Sequence, residues 1–168
     1  MKKLAFVSMI LCAGCADMQL FVRDELKLPV NGNIVISGFI SRDMNYDPFL
    51  SDRLTESLCF VFFREGYNVR IAGRKSDVLN GLIDQSDAAA LCADAAAEML
   101  IHGAVTRKES GLLHDRSVYY EVSFVIRDKS GIIRGEGRYC DSDVDEPVFI
   151  RNAAESFVSG FKKQVGSI

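Results

Sequence analysis

The chain has 168 residues, of which 48% are apolar and 26% charged, and its formal net charge is −3. This is enough apolar matter for one domain with a real core, and too much for a disordered chain. A net-negative chain gives no electrostatic reason to bind nucleic acid, whose phosphates attract basic patches.

The first residues have their own pattern. Lys2 and Lys3 precede an apolar run from Leu4 to Leu11, interrupted only by Ser8. A bilayer-spanning helix needs about 20 apolar residues, so this run is too short. It has the layout of a secretory signal. The small pair Ala13-Gly14 before Cys15 resembles a bacterial lipobox, in which a peptidase cleaves ahead of the cysteine and the thiol receives diacylglycerol. Cys12 stands three positions before Cys15, where a leucine is usual. The alternatives are a plain signal peptide cut near the same place and an uncleaved cytoplasmic terminus. Each buried CH₂ of an acyl chain contributes about 0.8 kcal/mol, so two or three palmitate-like chains make a stable membrane anchor. The expectation is a signal peptide over 1–14, a lipid-anchored tether over 15–32 and a single globular domain over 33–168. Loss of Lys2 and Lys3 takes the charge from −3 to −5. Cys59, Cys92 and Cys140 then remain, an odd number at long spacing. That argues against a disulfide scaffold, although two of them could pair.

The tether mixes charge with Leu20, Phe21, Val22, Leu26 and Leu28, and Pro29 and Asn31-Gly32 break it. It holds one short helix or lies extended. NIVISGFI (33–40) is β-branched and reads as a buried strand. Asp47-Pro48 starts a helix over 48–65, whose stripe is Leu50, Leu54, Leu58, Val61 and Phe62 and whose stop is Gly66. A strand follows over 67–73, then a short helix or turn over 74–81, an alanine-rich helix over 86–97 and a strand from Leu100 to about Lys108. Alternation over 118–126 gives a fourth strand. Asp128-Lys-Ser-Gly131 is a hairpin turn, and 132–139 returns as a fifth. Asp143 to Pro147 starts a last helix with Ile150, Ala153, Ala154, Phe157, Val158 and Phe161 on its buried face. Long crossovers require parallel neighbours and the tight hairpin requires an antiparallel part. The fold class is therefore α/β of the mixed α+β kind, a five-stranded mixed sheet with helices packed on it.

This order, with NIVISGF, GYNVR, AAAEMLIHGAVT and YYEVSFVIRDKSGIIRGEG, resembles the periplasmic lipoprotein domain family of LpoB, CsgG and FlgO. Family members carry alanine-x-x-alanine-aspartate-tyrosine-leucine-leucine-x-glycine before the third strand. Here Ala97-Glu98-Met99-Leu100-Ile101-His102-Gly103 stands in its place, with Glu98 for the acid and Met99 for the aromatic. The family hairpin is matched by Ile126-Arg127-Asp128-Lys129-Ser130-Gly131-Ile132-Ile133. The likeness covers about residues 33–163. It implies a domain of the anticodon-binding type that binds other proteins and catalyses nothing. It implies an accessory or assembly role in cell-wall synthesis, secretion or the flagellar basal body. A surface-exposed lipoprotein that contacts host molecules is the alternative.

Candidate chemistry is sparse. Asp141, Asp143 and Asp145 have the alternate spacing of a calcium loop, but Glu146 replaces its glycine and Asn152 its bidentate glutamate. Capping of the last helix by acidic residues explains them better. His102 and His114 share no ligand spacing with the cysteines. No nucleophile elbow or phosphate loop is present, and no cofactor is expected. Arg70, Arg74, Lys75, Arg107 and Lys108 make a basic patch if their strands are neighbours, and a solvated edge otherwise. Phe60 and Phe63 flank the main stripe of the first helix, so that helix is either buried on two sides or offers a groove to a partner. The expected partners are the bilayer, through acylated Cys15, and another envelope protein, with self-association as a further alternative. The expected location is the cell membrane or outer membrane, with the globular part in the periplasm or at the surface.

Overall fold

The computed structural model describes residues 17–23, 32–42, 48–72, 83–111 and 117–165. The signal peptide, Cys15, residues 24–31 of the expected tether, the 74–81 turn and His114 lie outside them. The elements in chain order are β1 (Asp17–Val22), β2 (Asn33–Ile36), β3 (Ile40–Ser41), α1 (Pro48–Arg64), β4 (Asn68–Ile71), α2 (Gln85–Asp94), β5 (Met99–Ser110), β6 (Ser117–Asp128), β7 (Ile133–Ser142) and α3 (Glu146–Val165). They build one mixed, open sheet of seven strands in the order β1-β7-β6-β5-β2-β4, with β3 paired to β5.

Two corrections to the five-strand expectation follow. The run NIVISGFI is split, because the chain leaves β5 after Ile36 and rejoins it at Ile40, opposite Ala104. The span read as tether supplies a full strand. Asp17–Val22 pairs antiparallel with β7, Asp17 opposite Cys140 and Val22 opposite Gly135. Its alternation of Met18, Leu20 and Val22 inward and Asp17, Gln19 and Phe21 outward is a period-2 signal. The crossovers behave as read: β2 runs parallel to both β4 and β5, while β5, β6 and β7 form antiparallel hairpins.

Local chemistry sets the element ends. Helix α1 closes in a Schellman turn. The Tyr67 N–H donates to the Phe62 carbonyl and the Gly66 N–H to the Phe63 carbonyl, with Gly66 at φ +91°. The accompanying apolar contact is the edge-to-face pair Phe62–Tyr67, at 5.5 Å. In α2, the Asp84 carboxylate caps the helix by accepting from the Asp87 N–H at 2.8 Å. The β6–β7 turn is held by Asp128, which accepts from the N–H groups of Ser130 and Ile132 and from Arg134 Nε at 2.7 Å.

Helices α1 and α3 pack side by side on one face of the sheet. The predicted residues Leu50, Leu54, Leu58 and Phe62 of α1 and Ala153, Phe157 and Phe161 of α3 are fully buried there, and Phe149, which the predicted stripe did not include, joins them. An aromatic cluster forms the centre: Phe157 stacks on Phe124 at 4.1 Å, and Phe62 meets Phe157 and Phe161 edge-on. On the opposite face α2 covers only Val35 and Leu100 with Leu91 and Cys92.

The outer edge of β1 is partly closed by a side chain. The Arg23 N–H reaches the Arg134 carbonyl, so the backbone N–H and C=O groups of odd positions point toward β7 and those of even positions point outward from the sheet edge. Gln164 of α3 takes two of the outward groups: its Nε2 donates to the Leu20 carbonyl at 2.6 Å and its Oε1 accepts from the Val22 N–H at 2.8 Å. One amide bridging the carbonyl of residue 20 and the N–H of residue 22 reproduces what a parallel strand opposite Phe21 would do. An exposed strand edge invites pairing with another chain, and Gln164 blunts it. Gln164→Ala is expected to cost about 1 kcal/mol and to add concentration-dependent association. Urea midpoints and light scattering of the eluting peak check both, and an unassociated, equally stable variant speaks against the edge role.

Candidate functional site

The described surface offers two faces able to hold a partner and none that gathers reactive groups. The first is the outer side of α1. Phe60 is 64% exposed and Phe63 74%, and Phe49, eleven residues before Phe60 and so on the same side, is 65% exposed. Burial on two sides is thereby excluded for Phe60 and Phe63. Cys59 between the two faces is half-buried, and burial together with nearby Glu56 pushes its thiol up to about 11. A groove between α1 and α3 of about 400 Å³ runs beside this stripe, lined by Val61, Arg64, Glu155, Val158 and Lys162.

The second face is the half of the sheet that α2 leaves bare. There β1, β7 and β6 present Gln19, Phe21, Ser123, Val125, Glu136 and Arg138 around a shallow trough of about 730 Å³. Phe21 is 69% exposed. Arg138 pairs with Glu121 at 2.8 Å on this face.

The candidate residues are dispersed. Asp141 is buried and accepts from the Tyr139 hydroxyl at 3.0 Å and the Ser142 N–H at 2.9 Å. Asp143, at φ +58°, accepts from the Val118 N–H, and the Asp145 carbonyl receives the Phe149 N–H at the start of α3. The Asp141 and Asp143 carboxylates are thus taken up by these neighbours, and among the described residues no group of three His, Cys, Asp or Glu is placed to hold a metal. Cys59, Cys92 and Cys140 are free thiols. The basic patch does not assemble from its described members. Strand β2 separates β4 from β5, and Arg70 is level with Leu100 through Val35. Arg107 lies seven residues farther along β5, about 23 Å away, in an ion pair with Glu109.

One buried polar unit escaped the sequence reading. His102 is 8% exposed, and its Nε2 accepts from Arg127 Nε at 3.1 Å. Arg127 also donates to the carbonyls of Gly131 at 2.7 Å and Ile83 at 2.8 Å. It thus ties the hairpin turn to the segment entering α2. Burial first, and the Arg127 charge second, hold the His102 imidazole down to about 4. The period-2 pattern of β5 places His102 on the α2 side, but nothing in it announces an arginine from β6.

With the geometry described, the class of fold is plain: a mixed α+β domain whose described residues form an open seven-stranded sheet with three helices packed against it. It is shared with PelC from Paraburkholderia phytofirmans, a dodecamer, at TM-score 0.68 and 12% identity over 90% of this chain and 100% of that one. It is shared also with lipoprotein GNA1162 from Neisseria meningitidis, at TM-score 0.55 and 13% identity over 79% and 99%. The C-terminal domain of LpoB from Salmonella enterica aligns at TM-score 0.47 and 11% identity over 67% and 84%. At these identities the likeness is one of fold. No family model matches the sequence, and no curated protein matches it.

Proposed function

We propose that the chain is a bacterial envelope lipoprotein, held to a membrane by acylated Cys15, whose folded part is a protein-binding module and not an enzyme. It serves as an accessory or assembly factor for another envelope protein in cell-wall synthesis, secretion or the flagellar basal body. The observation that carries the binding reading is the exposed Phe60–Phe63 stripe. Two phenylalanines at 64% and 74% exposure, beside a groove, are a costly surface for a free domain and a normal one for a docking helix. The envelope location is supported by the signal-like residues 1–14 and by the fold shared with GNA1162. Among the described residues no helix is long and apolar enough to cross a membrane. An acyl anchor therefore has a role to fill in this reading. Self-assembly belongs to the same proposal, since PelC with this fold is a dodecamer.

The test is photo-crosslinking in cells. Benzoylphenylalanine in place of Phe63 is expected to give one discrete adduct that Phe60→Ser abolishes, while the same group in place of Lys129 gives none. Phe60→Ser should leave the thermal midpoint within a few degrees of wild type, because it removes no core contact. An identical adduct pattern at Phe63 and Lys129, or no adduct at Phe63, contradicts the docking role.

A further inference from the structure

Strand β1 begins at Asp17, two residues after Cys15. Two residues of extended chain span about 7 Å. Resting on the reading that Cys15 is acylated, we infer that one end of the sheet is seated directly on the bilayer, with lipid headgroups as its partner and no free tether between them. Register defines that end. Asp17 lies opposite Cys140, Cys140 opposite Glu121, and Glu121 opposite Thr106. Past this row β1 has ended while its neighbours continue. Arg107–Ser110 on β5 pair with Ser117–Tyr120 on β6, and Ser142 of β7 lies opposite Tyr119.

Four rungs at about 3.3 Å each carry this rim roughly 13 Å beyond Asp17. Cys15 stays within about 7 Å of Asp17 wherever the two residues turn. The rim therefore projects past the anchor point, and the acyl chains enter the hydrocarbon only when the rim already lies among the headgroups. An 18-residue tether would impose no such seating; the strand register imposes it. Its charges are mixed: Lys108 is exposed, Arg107 is paired with Glu109 at 2.6 Å, and Asp143 is exposed. Among the described residues of the rim there is no basic excess to select anionic lipid, so the acyl chains supply the affinity and the rim sets the orientation. The opposite end, at the Asp128–Gly131 turn, stands about 36 Å away along the twelve residues of β6.

The experiment uses the full chain, purified from membranes and reconstituted in phosphatidylcholine vesicles carrying radiolabelled phosphatidylcholine. Benzoylphenylalanine replaces Ser110 on the rim or Ser130 at the far turn, both exposed. The expected result is about tenfold more lipid adduct at Ser110, because only the rim reaches the headgroup layer of several ångströms. Added salt or anionic lipid leaves that ratio unchanged. Equal adducts at the two positions, in protein whose mass shows the acyl groups, overturn the seating and leave the anchor standing. A chain that carries no acyl groups overturns both, and the mass distinguishes the cases. A long glycine–serine linker inserted between Ala16 and Asp17 is expected to retain the acyl groups and lose most of the Ser110 adduct. Undiminished adduct in that variant means that short reach is not what holds the rim down, and refutes the inference.

Discussion

Gly103→Ala is expected to lower stability by about 3 kcal/mol or more. Gly103 sits in mid-β5 between His102 and Ala104, opposite Phe124. A Cβ there would stand 1.9 Å from the Ser123 carbonyl oxygen and 2.7 Å from Phe39 Cε1. The first is backbone in the neighbouring strand, and the second belongs to a ring locked edge-to-face against Phe124 at 5.6 Å. Neither yields without opening the β5–β6 ladder. Gly66→Ala makes a useful contrast. Its φ of +91° disfavours a side chain, but nothing lies within 4 Å, so only backbone strain of about 1–2 kcal/mol is added. Urea unfolding of the two variants should rank Gly103→Ala well below Gly66→Ala. The reverse order would mean that β5 and β6 are not packed as described.

Acid should destabilise the protein through His102. The folded imidazole is held to about 4, against an ordinary value near 6.5, so the unfolded chain binds its proton first as pH falls. The contribution is complete above pH 6.5, declines through the window between about 6.5 and 4, and levels off below. Its full size is about 3 kcal/mol, from a shift of that width on a group 8% exposed. A protonated imidazole could no longer accept from Arg127 Nε and would place a second positive charge against it. Asp84 and Asp128, both held below the usual carboxylate range, also weaken the fold as acid is added. His102→Gln separates the two contributions, since it keeps an acceptor for Arg127 and removes the titration. The variant is expected to lose about 3 kcal/mol less than wild type between pH 7 and pH 4. Parallel pH curves for the two proteins would rule out His102 as the source.

Most of the architecture was legible where one physical rule acted alone. Pro48, the stripe from Leu50 to Phe62 and Gly66 together bounded α1, because helix start, periodicity and stop depend on near neighbours in sequence; the expected cap Asp47 lies outside the described residues. The alternation of 118–126 and the turn at Gly131 bounded the β6–β7 hairpin for the same reason. Strand β1 was missed. Its six residues mix charge with apolar side chains, and what makes them a strand is β7, more than a hundred positions away, together with the Gln164 clasp. The break after Ile36 was missed because Ser37 and Gly38 sit inside a β-branched run, and the placing of the Phe39 ring beside Gly103 is a tertiary contact that the run does not announce.

The surfaces were half legible. Phe60 and Phe63 stood out as excess apolar residues beyond the main stripe, but helical spacing alone could not distinguish a second buried side from an open one. Their exposure decides it. The acidic triplet Asp141, Asp143 and Asp145 has metal-like spacing in sequence, yet the Asp141 carboxylate turns to Tyr139 and Ser142 and that of Asp143 to the Val118 N–H, and the three form no cluster. The His102–Arg127 unit depends on a pairing between β5 and β6 that places Leu100, not His102, opposite Arg127, so the contact is diagonal across the ladder.

The intact mass of the native protein, taken from the membrane fraction, tests the central claim most directly. A chain beginning at Cys15 and carrying diacylglycerol and a further acyl group, with both modification and membrane retention lost in Cys15→Ser, is the result the account predicts. An unmodified polypeptide that still carries residues 1–14 would contradict it.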